Sequence, residues 1–298
     1  MRSSLLPALL LFVGLCALPL AGLAQTRAGA IRAAKVEGPV PIQHPGAPAQ
    51  ALKSGDLLTE ADTIVTGNGG SAVLVFMNGS SVRLAEKTSL SIEEFKMDPL
   101  AESIDVSKLK EEPTVSQTSL KLDYGQVVGD VRKLHTGSAY QVKTPVGAAG
   151  IRGTTFQVTL TRNSDGSFTF SEVTKNGTVI VSTASGTISG AAAKSIESVV
   201  GVGQSVSVSG TVAADGTITF AQAPASVPAT PAQLGEVEHA AEQINTAVSK
   251  GTGTTTFTPT EQSGSTDTNS NPASKESGMN SEATVVKVDT TSLPASPH

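Results

Sequence analysis

The sequence predicts an all-β domain followed by one amphipathic helix and a polar tail. Three observations predict it. Val, Ser and Thr are abundant, Trp is absent, and 29 of the 298 residues are Gly. β-Branched side chains are stiff at χ1 and suit a pleated surface, while Gly supplies the turns. Turn dipeptides recur between short apolar runs, at Asn78-Gly79, Asp165-Gly166, Asn176-Gly177 and Asp215-Gly216. Such pairs tolerate positive φ and signal hairpins. Past residue 231 the apolar residues fall at three- and four-residue spacing.

The N-terminus comes first. Arg2 gives a short positive region, residues 5–20 are almost wholly apolar, and Gly22-Leu23-Ala24 sets small residues at −3 and −1 before Gln25. This is the three-part pattern of a secretory signal peptide, so residues 1–24 are expected to be removed on export. The alternative is an uncleaved membrane anchor, for which the run is only just long enough and holds Pro7 and Pro19. Leu15 precedes Cys16, where a lipoprotein signal needs a small residue. Cys16 is the sole cysteine, so the chain beyond residue 24 has no thiol for a disulfide, a metal site or a nucleophile. A periplasmic or extracellular location is expected.

Residues 25–35 read as a polar lead-in and 36–222 as the β domain. Residues 71–77 form an apolar run, Asn78-Gly79 turns the chain, and 81–84 follow as a second strand. One stretch breaks the rhythm. Residues 95–119 contain Pro99, Pro113 and the charges Glu102, Lys108, Lys110, Glu111 and Glu112, which predicts a solvated excursion with one helical turn. Pro224, Pro228 and Pro231 mark a Pro/Ala linker over 223–231. Residues 232–250 place Leu234, Val237, Ala241, Ile244 and Val248 at helical spacing. Residues 251–298 are rich in Ser, Thr, Gly and Asn, and disorder is expected there.

Several blocks together resemble the FecR family. Residues 52–67 hold Gly55-Asp56 and Asp62-Thr63-Ile64-Val65-Thr66-Gly67. Residues 72–84 read strand, Asn78-Gly79-Ser80, strand, and Ser89-Leu90-Ser91-Ile92 follows. Leu122-Asp123-Tyr124-Gly125-Gln126-Val127 precedes residues 140–158, which hold Thr144-Pro145 and then Gly150-Ile151-Arg152-Gly153-Thr154. The resemblance spans about residues 36–210. It implies an extracytoplasmic β fold, sandwich-like or solenoid-like. The best-known members relay the state of an outer-membrane iron transporter across the inner membrane to a sigma factor. With a cleavable signal expected here, what carries over is the domain and a binding or sensory role.

The same residues have their own reading. Gly55-Asp56 and Thr66-Gly67 look like strand-ending turns. Thr144-Pro145 stops a strand, because Pro lacks the ladder N–H. Gly150 and Gly153 flank Ile151-Arg152 and suggest a tight bend. Arg152 offers five donors in a planar fork. It either ties down loop carbonyls or captures an anionic ligand.

Known chemistry is not signalled. His44, His135, His239 and His298 lie at no metal-ligand spacing, and no G-x-S-x-G elbow occurs. Gly67-Asn68-Gly69-Gly70-Ser71 lacks the Gly-Lys-Ser/Thr ending of a phosphate loop. No catalytic, cofactor or metal residue is therefore expected. The net charge of −5 with few aromatics disfavours nucleic acid as a partner. Membrane contact is expected only through the signal segment, if it stays uncleaved. The expected function is a non-enzymatic binding or sensory module of the bacterial envelope that engages another envelope protein or a polymer. The alternative is a structural protein of the envelope or matrix that assembles with itself.

Overall fold

The computed structural model describes residues 26–251 and 253–263. The expected signal peptide, and the expected tail beyond residue 263, lie outside the described residues. Within them the protein is all-β with one C-terminal helix.

Two sheets face each other. In the first, strands run in the order Gln50–Ala51, Pro41–Gln43, Thr63–Val65, Ser89–Met97, residues 116–124, Ala139–Thr144, Gly147–Ile151, Val179–Thr183 and Glu197–Val200. In the second, the order is Leu57–Leu58, Ile31–Glu37, Ser71–Phe76, Ser81–Leu84, residues 125–130, Thr155–Arg162, Ser167–Thr174, Gln204–Val212 and Ile218–Phe220. Pairing is antiparallel except between Ser116–Asp130 and Ala139–Thr144 and between Gly186–Ile188 and Ile218–Phe220.

One strand belongs to both sheets. Ser116–Asp130 pairs with Ser89–Met97 over its first half and with Ser81–Leu84 and Thr155–Arg162 over its second. It turns the corner at Gly125, where φ is +98° and an added Cβ would stand 2.4 Å from the Thr88 Cα. Only glycine fits there.

Alternation along each strand points one set of side chains into the space between the sheets. Phe76 meets Phe95 edge-on at 5.1 Å, Tyr140 meets Phe156 at 6.5 Å, and Phe168 meets Phe220 at 5.8 Å. These edge-to-face pairs suit the ring quadrupoles. Without disulfides, this apolar layer carries the stability.

Three of the turn dipeptides close hairpins. Asn78-Gly79 joins Ser71–Phe76 to Ser81–Leu84, Asp165-Gly166 joins Thr155–Arg162 to Ser167–Thr174, and Asp215-Gly216 joins Gln204–Val212 to Ile218–Phe220. Asn176-Gly177 differs. It carries the chain from the second sheet to the first, so its flanking strands do not pair with each other. A local turn signal reports positive φ and says nothing of the strand beyond.

The helix spans Pro231–Lys250. Thr230 caps it, with Gln233 N–H donating to the Thr230 hydroxyl at 3.3 Å and Thr230 N–H donating to Gln233 Oε1 at 2.8 Å. This is a capping box with Pro at the first turn. Val237, Ala240, Ala241, Ile244 and Ala247 are buried and lie against the second sheet.

Four segments depart from the sequence expectation. The lead-in is sheet, not coil: Ile31–Glu37 pairs with Ser71–Phe76, and Ile31 and Ala33 are fully buried. The linker contributes Ser226–Pro228, paired with Gln204–Val206. The excursion is not wholly solvated. It holds the expected helical turn at Val106–Lys108, but Val106 and Glu112 are buried. Residues 253–263, expected to be disordered, are ordered and bury Phe257. In each case low apolar content was outweighed by partners distant in sequence.

Candidate functional site

In the middle and later part of the domain the chain crosses between sheets at one end. The crossings are residues 131–138, 152–154, 175–178 and 201–203, and the Asn78-Gly79 turn sits at the same end. Each crossing bonds to the next. Val131 N–H donates to Thr154 O, Lys175 N–H to Thr155 O, and Gly203 N–H to Thr174 O, all at 2.9 Å. The result is a solenoid-like stack of turns.

Glycine permits the stacking. Gly153 has φ +69°, and a Cβ on it would lie 3.0 Å from Lys133 Cα. Gly177 has φ +76°, and a Cβ there would lie 2.5 Å from Gly153 O. Both positions need left-handed backbone and close approach together.

Cations gather on this end. Arg132 Nη1 lies 3.5 Å from Asp130, while its Nε is buried without a partner. Lys133 reaches Glu111 only at 3.9 Å. Lys175 pairs with Glu238 on the helix. Arg152 is exposed and makes no hydrogen bond or ion pair among the described residues.

That placement corrects the structural reading of Arg152. Among the described residues its guanidinium bonds to no carbonyl. Gly150 is not at a bend either, since it sits mid-strand between Gln141 and Ile180. The bend falls at Arg152-Gly153, and the loop is held by its backbone.

Beneath the surface lies a polar cluster that the sequence did not reveal. The buried carboxylate of Glu112 accepts from the Ser116 hydroxyl at 2.8 Å, from the Ser138 hydroxyl and from His135 N–H at 2.5 Å. Ser116 in turn accepts from Asn78 Nδ2 at 3.0 Å, and Asn78 Oδ1 accepts from Ser80. Asn78-Gly79-Ser80 is thus tied to the excursion and to the 131–138 crossing. Buried acceptors are normally matched this way. Adjacent charges in sequence gave no hint that Glu112 points inward while Glu111 is exposed.

The remaining motif residues lie elsewhere. Thr66 is buried, donates to Ala85 O at 2.5 Å and accepts from Thr88 N–H at 2.9 Å. Gly67 N–H donates to Pro39 O at 2.9 Å. Thr144 and Gly147 bracket a hairpin turn at Pro145-Val146, with Thr144 Oγ1 donating to Gly147 O at 2.9 Å. Gly55 N–H donates to Ala33 O at 2.7 Å, and Asp56 Oδ2 accepts from Lys53 N–H at 2.8 Å. Thr154 is buried, and its hydroxyl has no partner. The motif residues therefore collect at separate turns. Gly79, Ser80, Arg152, Gly153 and Thr154 come together at the crossover end, and the others do not.

A second buried carboxylate sits in the core. Glu172 lies between Val158 and Val206 on neighbouring strands and is fully buried. Burial pushes its pKa up to about 8, opposed only by the Thr174 hydroxyl donating at 2.8 Å. Its other oxygen is unpartnered. The alternation Phe168, Phe170, Glu172 was legible, and it places the glutamate on the core face.

Among the described residues no group of three His, Cys, Asp or Glu side chains could hold a metal ion. No helix there is long and apolar enough to cross a membrane. The geometry defines an all-β module whose exposed chemistry sits on stacked turns. Residues 62–189 match the family model described as FecR protein. Two solved structures of a candidate anti-sigma factor from Parabacteroides distasonis, at 1.65 and 2.50 Å resolution, are similar at 13% and 12% identity with TM-scores of 0.37 and 0.36. The match covers 58% of this chain and 62% of theirs, less than two thirds of their length. No curated protein matches the chain.

Proposed function

We propose that the chain is an exported binding or sensory module of the bacterial envelope, and that its crossover end engages another envelope protein through Arg152. The observation that carries this is Arg152 itself: exposed, unpaired, and set on a corner whose geometry Gly153 and Gly177 hold. A guanidinium fork left free on a rigid turn is preorganised for a carboxylate or another planar acceptor. Export would leave a mature chain beginning at Gln25, which N-terminal sequencing checks.

The test is capture from a detergent-solubilised envelope fraction by the immobilised mature protein, beside Arg152→Glu. A defined protein retained by the first and lost by the second, with equal urea midpoints, supports the reading. Identical captured sets would overturn it. Recovery of a polysaccharide or other polymer in place of a protein would reassign the ligand class.

One observation favours self-assembly as a second reading. Glu197–Val200 is an edge strand of the first sheet, and Val199 beside Ile180 is 61% exposed. Unprotected edges template pairing between chains. Size-exclusion chromatography over a hundredfold concentration range decides: a concentration-dependent rise in mass supports assembly, and a constant monomer removes it.

A further inference from the structure

Residues 253–263 lie in a groove between Arg32 and the excursion. Arg32 stands on the face of its strand opposite Ile31 and Ala33, its side chain 11% exposed. Its Nη1 donates to Gly253 O at 2.8 Å and to Thr256 O at 2.9 Å, its Nη2 pairs with Glu261, and its guanidinium stacks 4.9 Å over the Phe257 ring. Phe257 is fully buried. The excursion forms the other wall. Ile104–Asp105 pairs with Thr256–Phe257, and Val106 N–H donates to Thr255 O at 2.9 Å. Gln262 closes the groove: its Nε2 donates to Met97 O at 3.1 Å and Asp98 O at 2.9 Å, while its Oε1 accepts from Leu100 N–H at 2.9 Å.

This is recognition by particular side chains. Three backbone carbonyls, one aromatic ring, one carboxylate and one amide are each read by a matched host group. Without the segment, the Arg32 guanidinium, two N–H groups and two carbonyls would lose their partners. Groups so placed call for a replacement of the same chemistry. The backbone pairing is only two residues long, and no strand of either large sheet depends on it. Arg32 and residues 253–263 lie outside the FecR match, whereas the excursion wall lies within it.

We propose that this groove is a peptide-docking site held closed by the chain's own residues 253–263. It takes an extended partner peptide carrying an aromatic side chain, a carboxylate four residues on, and an amide directly after it. The built-in segment competes at the effective concentration of a short tether, on the order of mM. A partner peptide therefore enters only when the segment is released or outnumbered.

The experiment uses the full mature chain with a protease recognition sequence inserted at Thr252, and a fluorescent peptide of residues 253–263 as the probe. The uncut chain is expected to leave micromolar probe unbound. The cut chain is expected to exchange its C-terminal fragment for the probe, with affinity at least tenfold weaker for a probe carrying Phe257→Ala or Glu261→Gln. Those changes are in the probe, so folding of the host does not confound them. Arg32→Lys in the cut chain should also weaken binding. A fragment that excess probe cannot displace, a cut chain that unfolds, or binding indifferent to the probe substitutions would each overturn the proposal.

Discussion

Glu112 and Glu172 are both buried glutamates in strand-rich surroundings, yet the protein treats them differently. Glu112 lies under the crossover end and accepts from two hydroxyls and a backbone N–H. Glu172 lies between the sheets with one hydroxyl donor, and its second oxygen is unmatched. The first is the hub of a polar network that joins the Asn78 turn, the excursion and the 131–138 crossing. The second is an isolated acid among valines. Burial alone does not decide what a carboxyl does, because the number of donors around it differs from site to site. The crossover end is thereby a polar, specified region, and the inter-sheet core around Glu172 is largely apolar.

The largest effect expected from this contrast is a pH dependence. The folded chain holds the Glu172 proton more tightly than the unfolded chain, whose value is near 4.5. Its contribution to stability is therefore complete below pH 4.5 and is lost as pH rises through about 8. Urea unfolding between pH 5 and 9 should show a loss on the order of 3–5 kcal/mol. Glu172→Gln should remove most of that slope and be the more stable protein at pH 9. Asp105, held near 2 chiefly by the Ser107 hydroxyl, acts in the opposite direction and only in acid, so the two windows do not overlap. A flat profile from pH 5 to 9 in the unmodified chain would break the contrast at Glu172.

Next in size is Glu112→Ala. It orphans the Ser116 and Ser138 hydroxyls and the His135 N–H, which should cost about 3 kcal/mol. An unfolding midpoint within error of the unmodified chain would show that the network is replaceable by water.

The smallest expected effect is Arg152→Ala. An exposed side chain without partners should change stability by no more than about 0.5 kcal/mol. A loss above about 1 kcal/mol would place Arg152 among the bonded groups of the crossover end and undercut its role as a free contact.

The sequence alone determined the fold class. Short apolar runs, Asn-Gly and Asp-Gly turns and the three- and four-residue apolar spacing of residues 232–250 are local signals, and each is satisfied within a few residues of itself. The order of the FecR blocks was also legible, because it is carried by short motifs. Only the tertiary structure decided that Asn176-Gly177 crosses between sheets, that Glu112 turns inward beside an exposed Glu111, that Arg152 is free, and that residues 253–263 bind Arg32 more than 220 positions away. Those outcomes depend on partners brought together by packing. Burial and hydrogen-bond matching are properties of the assembled environment, so residues with the same local pattern can end on opposite sides of the surface.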